Sequence, residues 1–181
     1  RRVLFRSYEA PGWLPGEGIP SLLQGKSNLV GIEIGVDYGT TSVHLLNSLA
    51  NSVLYGVDPY IIYNDWYGSE VNDRERVMSI MKERTDIFNH RFLHIRKTSD
   101  DAVSMFEDES MDFIFVDGLH TYEQVLKDCQ NYWPKLKKGG LFCGHDFNTI
   151  EDVHNAVVYF ANQINRPIGV DPQDVWYWYK E

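Results

Sequence analysis

Acidic and histidine side chains lie close together in two short segments, residues 117–122 (DGLHTY) and 144–146 (GHD). Each segment follows an apolar run that is typical of a buried strand. Carboxylates that leave the ends of two neighbouring strands could share one cation. The imidazole of His120 titrates near neutral pH and could take a proton from a hydroxyl beside that cation. These residues could therefore activate a hydroxyl group.

A second segment, residues 33–42 (EIGVDYGTTS), predicts a tight turn from a strand into a helix. Gly35 and Gly39 permit such a turn and let a ligand approach the backbone closely. The spacing E-x-G-x-x-x-G differs from the G-x-G-x-x-G of dinucleotide-binding proteins. The acid Glu33 suits a positively charged ligand end better than a pyrophosphate. A glycine turn that binds no ligand is the open alternative.

Asp58 ends the next apolar run, about 25 residues after Glu33. Nucleoside-binding α/β folds place an acid near this point, where it accepts hydrogen bonds from the ribose hydroxyls. Asp58 could instead do no more than open the loop before Pro59.

Together these residues resemble the class I S-adenosylmethionine-dependent methyltransferases, over about residues 30–179. The resemblance implies that Asp58 is the ribose acid, and that Thr98 and Asp100 lie near the adenine together with Ser99. The residues that it assigns to the cofactor are Glu33, Gly35, Gly39, Asp58, Ser99 and Asp117.

The pattern D-G-x-H-x-Y, followed by Asp128, a Gly-Gly pair and His-Asp, is similar to the metal-dependent O-methyltransferases that modify macrolide sugars. The resemblance implies that Asp117 and Asp146 bind magnesium and that His120 is the general base. His145 stands where that subgroup usually has a glutamate ligand, and imidazole suits transition metals better than magnesium. The metal ligands implied are thus Asp117, His145 and Asp146. The implied reaction is methyl transfer to a hydroxyl of a small molecule, a sugar or a glycosylated metabolite.

Other interpretations stay open at this stage. Asp117 could cap the helix that follows it, and His145 could be a structural histidine. The chain could also be a nucleotide-dependent oxidoreductase, or a non-catalytic nucleoside-binding domain of a larger carbohydrate-modifying protein. Three aromatic residues after the second strand could line the acceptor pocket or simply pack: Tyr63, Trp66 and Tyr67. The remaining histidines are expected at the surface or in packing contacts: His44, His90, His94 and His154.

The elements that must position these residues alternate along the chain. Continuous apolar strands separated by helices predict a mostly parallel sheet covered on both faces, with ligands at the carboxyl ends of the strands. Strands are expected at residues 29–34, 52–57, 91–95, 112–116, 141–144, 167–170 and 175–179, and helices at 40–49, 72–88, 99–106, 121–133 and 151–164. The resemblance implies a Rossmann-like, doubly wound sheet of seven strands in the order 3-2-1-4-5-7-6.

This pattern places the methyltransferase domain at residues 29–181. Residues 1–28 form an irregular lead-in, rich in glycine and proline. Its first seven residues (RRVLFRS) resemble a translated sequencing-adapter tail.

Composition excludes several kinds of partner. The chain has 17 basic and 26 acidic residues, a formal charge of −9, which argues against binding of a nucleic acid backbone. No apolar run approaches the roughly 20 residues of a membrane-spanning helix. Cys129 and Cys143 have neither zinc-site spacing nor a disulfide pattern, which predicts reduced thiols in the cytoplasm. The expected partner is a small-molecule acceptor, and self-association is left open.

Overall fold

A computed structural model describes residues 14–24, 26–62 and 73–181. The strands are β1 (Val30–Ile34), β2 (Val53–Val57), β3 (Phe92–Ile95), β4 (Met111–Val116), β5 (Leu136–Gly144), β6 (Gly169–Val170) and β7 (Trp176–Tyr179). The α-helices are α1 (Ile19–Leu22), α2 (Thr40–Ser48), α3 (Arg74–Thr85), α4 (Ser99–Ala102), α5 (Tyr122–Tyr132) and α6 (Glu151–Ile164). Short 3-10 helices cover Asp86–Arg91, Val103–Met105 and Trp133–Lys135.

The seven strands form one sheet in the order β3-β2-β1-β4-β5-β7-β6. Strands β1 to β5 are parallel, and β7 runs antiparallel to both of its neighbours. The predicted doubly wound, mostly parallel sheet is therefore confirmed, including its strand order. The order reverses between β1 and β4, so ligands are expected beyond the carboxyl ends of these two strands.

Helices cover both faces of the sheet and create two apolar cores. Helices α5 and α6 cover one face, where Tyr132 and Val157 are fully buried. Helices α2 and α3 cover the other face, where Leu45 and Met81 are buried. Of the helices described, none is both long enough and apolar enough to cross a membrane.

Part of the lead-in completes the second core. Ile19 and Leu23 are buried against it. The Thr41 hydroxyl donates a hydrogen bond to the carbonyl of Pro15 (2.8 Å), and the Tyr179 hydroxyl donates to that of Leu22 (2.8 Å). The segment predicted as an irregular lead-in therefore contains the short helix α1 and packs on the sheet from residue 14 onward.

Three predicted boundaries differ from the structure. The helix predicted at 99–106 ends at Ala102 and continues as a 3-10 turn, and the one predicted at 72–88 is α3 followed by a 3-10 turn. Strand β5 starts at Leu136 rather than at residue 141, because Gly139 and Gly140 lie within it. The register with β4 shifts there by a bulge, and Gly139 has a positive φ of 74°. Glycine permits that bulge, so the Gly-Gly pair does not end the strand.

Gly35 occupies a turn that only glycine fits. Its φ is +86°, and a Cβ atom there would lie 2.0 Å from the carbonyl oxygen of Asp117. The turn after β1 is thus pressed against the end of β4. The sequence predicted a glycine that lets a ligand approach, whereas in the structure the protein's own backbone fills that space.

We expect Gly35→Ala to lower the free energy of unfolding by about 3 kcal/mol or more, since it adds overpacking to the cost of the left-handed conformation. Gly139→Ala is the matched control, because Gly139 also has a positive φ but its Cβ would meet nothing within 4 Å. This control should lose only about 1–2 kcal/mol. Denaturant unfolding measures both values, and equal losses would contradict the proposed collision.

Candidate active site

The parallel register brings the ends of four strands to one level. Ile34 on β1 pairs with Val57 on β2 and with Val116 on β4, and Val116 pairs with Gly144 on β5. Residues next to these four paired positions therefore meet at one edge of the sheet. Four acids reach that edge: Glu33, Asp58, Asp117 and Asp146. Their convergence follows from the sheet order that the sequence predicted.

Glu33 is a buried carboxyl at the end of β1. Its side chain accepts a hydrogen bond from the Ser42 hydroxyl. Burial, aided by the charges of Asp117 and Asp58 and opposed by this hydrogen bond, raises the pKa of Glu33 to about 8. In the described parts of the chain no lysine, arginine or histidine forms an ion pair with it. Glu33 is therefore mainly neutral at pH 7, and a cationic ligand end placed beside it would favour its charged form.

Asp58 is held by the protein backbone. Its Oδ2 accepts hydrogen bonds from the amides of Val36 and Asp37 (3.0 Å each), and its Oδ1 accepts one from the amide of Tyr60 (2.8 Å). A carboxylate oxygen accepts about two hydrogen bonds, so Oδ1 keeps one acceptor position for a ligand hydroxyl. The predicted ribose acid thus also fixes the loop after β1.

Two further residues hold the same loop, and no pattern in the sequence pointed to them. The Tyr60 hydroxyl donates a hydrogen bond to the carbonyl of Asp37 (2.7 Å). Arg74, at the start of α3, pairs with the Asp37 carboxylate (3.0 Å) and lies over the Tyr60 ring. Burial raises the pKa of Asp37, although Arg74 opposes the shift. Because these contacts join distant segments, no local motif could have predicted them.

Asp117, His120 and Asp146 form the central group of the site. The His120 Nε2 atom lies 3.4 Å from the Asp117 Oδ1 atom and 3.2 Å from the Asp146 Oδ2 atom. One ligand atom from each residue lies within 4.8 Å of the other two, as a shared metal ion requires. Thr121, not Asp117, caps α5, since its hydroxyl accepts from the amide of Gln124. The alternative that Asp117 is a helix cap is therefore wrong.

Electrostatics in this group favour a positive charge between the two acids. Burial alone would lower the pKa of His120, but hydrogen bonds and charge from Asp117 and Asp146 raise it to about 10. Burial would raise the pKa of Asp146, but His120 and His145 bring it below its usual range. The two carboxylates thus hold the His120 imidazole as a cation.

His145 supports Asp146 and does not join the group of ligand atoms. Its Nδ1 atom lies 3.0 Å from the Asp146 Oδ1 atom, and its Nε2 atom lies 3.1 Å from the carbonyl oxygen of Gln173. Its own carbonyl accepts a hydrogen bond from the Trp176 indole (3.1 Å). This geometry differs from the metal ligand that the resemblance implied, and it favours the structural role left open for His145.

The residues expected near the adenine are bonded within the protein. Thr98 caps α4, with its hydroxyl accepting from the amide of Asp101 (3.2 Å). The Ser99 hydroxyl accepts a hydrogen bond from Gln124 on α5 (3.1 Å), and Asp100 pairs with Lys127 on the same helix (2.6 Å). The side chains of Ser99 and Asp100 therefore face α5, whereas the Thr98 hydroxyl is bonded within its own turn. The aromatic residues Tyr63, Trp66 and Tyr67 lie outside the described residues.

Comparison with known proteins identifies the family. Residues 32–147, well over half of the chain, match a family described as a methyltransferase domain. Among curated proteins, an uncharacterised protein of Sinorhizobium fredii is 29% identical over 137 residues, which cover 72% of this chain and 14% of that protein. A second uncharacterised protein, from Acanthamoeba polyphaga mimivirus, is 27% identical over 126 residues, which cover 67% of this chain and 53% of that protein. The chain thus spans about half or less of the length of these relatives.

Solved structures of the same fold include two O-methyltransferases. A Bacillus cereus O-methyltransferase in complex with S-adenosylhomocysteine (SAH) superposes with a TM-score of 0.64 at 14% identity, covering 91% of this chain and 80% of that chain. The O-methyltransferase NovP gives the same TM-score and identity, and covers 91% and 75%. A protein of Corynebacterium glutamicum gives a TM-score of 0.66 at 16% identity, and covers 91% and 79%. The family match establishes that the chain belongs to the methyltransferase-domain family, and the solved structures show that it shares their fold.

Proposed function

We propose that this protein transfers a methyl group from S-adenosylmethionine to a hydroxyl oxygen of a small molecule, with a sugar or a glycosylated metabolite as the acceptor. The observation that carries the proposal is the group Asp117, His120 and Asp146 at the point where strand order reverses. In this proposal the group supplies a base and two metal ligands beside the acceptor hydroxyl. Similarity of fold to two O-methyltransferases supports it.

Some residues of the site would bind the cofactor, and others would act on the acceptor. S-adenosylmethionine supplies a methyl group that is already activated on a positively charged sulfur. Asp58 has one acceptor position for a ribose hydroxyl, and the buried Glu33 lies where a cationic ligand end would be favoured. Methyl transfer would break the bond from sulfur to the methyl carbon and form the bond to the acceptor oxygen. The hydroxyl proton would pass to His120, which can accept it only while its imidazole is neutral. The protein's main contribution is alignment and exclusion of water.

The donor set fits a divalent metal ion. Asp117 and Asp146 would hold it, because their carboxylate oxygens lie on either side of one small space that His120 also borders. A bound ion would stabilise the acceptor oxygen as it loses its proton, and would offset the two negative charges that raise the pKa of His120. Magnesium or manganese suits the two carboxylates.

The proposal includes a location in the cytoplasm. Cys129 and Cys143 are buried and unpaired, as expected of a protein that works in the reducing cytoplasm. The competing assignment as an oxidoreductase is disfavoured by the family match and by the absence of the G-x-G-x-x-G spacing from the turn after β1.

Calorimetry should detect SAH binding to the wild-type protein and no binding of NADH. Asp58→Ala should weaken SAH binding by about 1.5–3 kcal/mol, the scale of hydrogen bonds to a charged group. Asp108→Ala, which removes an exposed carboxylate paired with Lys135, is the control and should leave binding unchanged. Binding of NADH in place of SAH would show that the oxidoreductase assignment is right.

EDTA should abolish most methyl transfer, measured as SAH release with a panel of sugars and glycosides, and magnesium or manganese should restore it. Asp117→Asn and Asp146→Asn should each weaken manganese binding, followed by electron paramagnetic resonance, by at least about tenfold. Asp152→Asn, an exposed acid at the start of α6, is the control. Full activity in EDTA would rule out the metal.

His120→Ala should lower the turnover number by about 10²–10⁴-fold, the usual contribution of a general base. The dissociation constant of SAH should change by less than about twofold, because His120 contacts Asp117 and Asp146 and none of the residues assigned to the ribose. His145→Ala is the comparison. If His145→Ala removes turnover at unchanged melting temperature while His120→Ala does not, the base has been assigned to the wrong histidine.

A further inference from the structure

Three polar side chains lie on one stripe of α5, and two of them donate hydrogen bonds to the same serine. Gln124, Asp128 and Tyr132 are four residues apart, so they lie one above the other on the helix surface. The Gln124 amide donates to the Ser99 hydroxyl (3.1 Å), and the Tyr132 hydroxyl donates to the Ser99 carbonyl (2.8 Å). The same Gln124 amide also donates to Asp128 Oδ1 (3.0 Å), so Asp128 is connected to Ser99 through Gln124. Ser99 is therefore fixed through its side chain and its main chain.

Asp128 is the centre of this stripe. Its side chain is fully buried, and its Oδ1 accepts a hydrogen bond from the Gln124 amide (3.0 Å). Burial raises the pKa of Asp128 to about 6, so the carboxylate is mainly charged at neutral pH. A buried charge lowers stability unless polar groups compensate it, and an apolar residue would pack the helix more favourably. The neighbouring Val125 and Cys129 show that α5 otherwise packs in the ordinary apolar way.

The position of Ser99 connects the stripe to the cofactor side of the sheet. Ser99 begins α4 directly after β3, at the edge where Asp58 ends β2. The Asp58 amide donates a hydrogen bond to the carbonyl of Ile95, the last residue of β3. The segment that carries Ser99 is thus held on one side by the strand end that bears the ribose acid and on the other side by α5.

We propose that Gln124, Asp128 and Tyr132 are positioning residues that fix the segment Thr98–Ser99 as the wall against the adenine of the cofactor, with Asp128 holding the Gln124 amide in place. This inference rests on the proposed cofactor site. Because the hydroxyl of Ser99 is bonded to α5, the stripe acts by holding the main chain of this segment in place. The specificity for adenine over other bases then depends on a helix that does not contact the base.

The test compares SAH with S-inosylhomocysteine, which has an oxygen in place of the 6-amino group of adenine. Wild-type protein should bind SAH at least about tenfold more tightly in calorimetry. Asp128→Ala should weaken SAH binding by about tenfold and reduce the ratio of the two affinities at least threefold, since Ser99 loses its fixed position. Asp128→Asn keeps the shape and one acceptor oxygen, and should restore the ratio to within about twofold of the wild type.

Val125→Ala is the matched control, because it removes packing from the same helix without touching Ser99. It should lower the melting temperature while leaving the affinity ratio unchanged. An unchanged ratio in Asp128→Ala, or an equal change in Val125→Ala, overturns the inference. If Asp128→Ala does not fold, Tyr132→Phe, which removes only the bond to the Ser99 carbonyl, should still lower the ratio, and no change there overturns the inference.

Failure of the inference and failure of the proposed function give different results. A wild-type protein that binds neither ligand contradicts the cofactor assignment itself, and the inference with it. A wild-type protein that prefers SAH, with variants that keep the same preference, contradicts only the role of the stripe. Equal binding of both ligands by the wild-type protein also overturns the role of the stripe.

Discussion

The parallel register of β1, β2, β4 and β5 forces four acids into one small region, and the structure depends on how their charges are compensated. Each acid is compensated differently. Glu33 is buried and keeps its proton, and Asp58 accepts three backbone hydrogen bonds. Asp117 and Asp146 hold the imidazole of His120 between them. Carboxylates that are close together and partly buried repel one another strongly. Loss of the contacts that stabilise one of these acids would therefore require the others to rearrange.

This compensation also explains why the site suits cationic ligands. In the proposed complex, the sulfonium and ammonium groups of S-adenosylmethionine would bring positive charge toward the end of β1, and a divalent ion would bring more toward Asp117 and Asp146. In a partly buried site such charges interact more strongly than they would in water. The same surroundings raise the pKa of Glu33 and lower that of Asp146. The fold thus makes binding of cofactor and ion electrostatically favourable at the same edge of the sheet.

Apolar runs and motif positions are local features, so they predicted the strands and the strand ends that carry the site residues, whereas the sheet order was predicted only from the family resemblance. The sequence also singled out His120, which the structure places between Asp117 and Asp146. It did not predict that Gly35 is pressed against Asp117, that His145 supports Asp146, or that Ser99 is bonded to α5. The contacts of Gly35 and Ser99 join segments far apart in the chain, and the His145 ring is placed by its contact with the distant Gln173, so their geometry depends on packing that no local pattern encodes.

A crystal structure with SAH and manganese, with anomalous diffraction used to locate the ion, tests the central claim most directly. We expect one manganese ion in contact with the carboxylates of Asp117 and Asp146. We also expect a ribose hydroxyl bonded to Asp58 and the adenine beside Thr98–Ser99. An ion bound elsewhere, or a nucleoside that occupies the opposite edge of the sheet, would contradict the central claim.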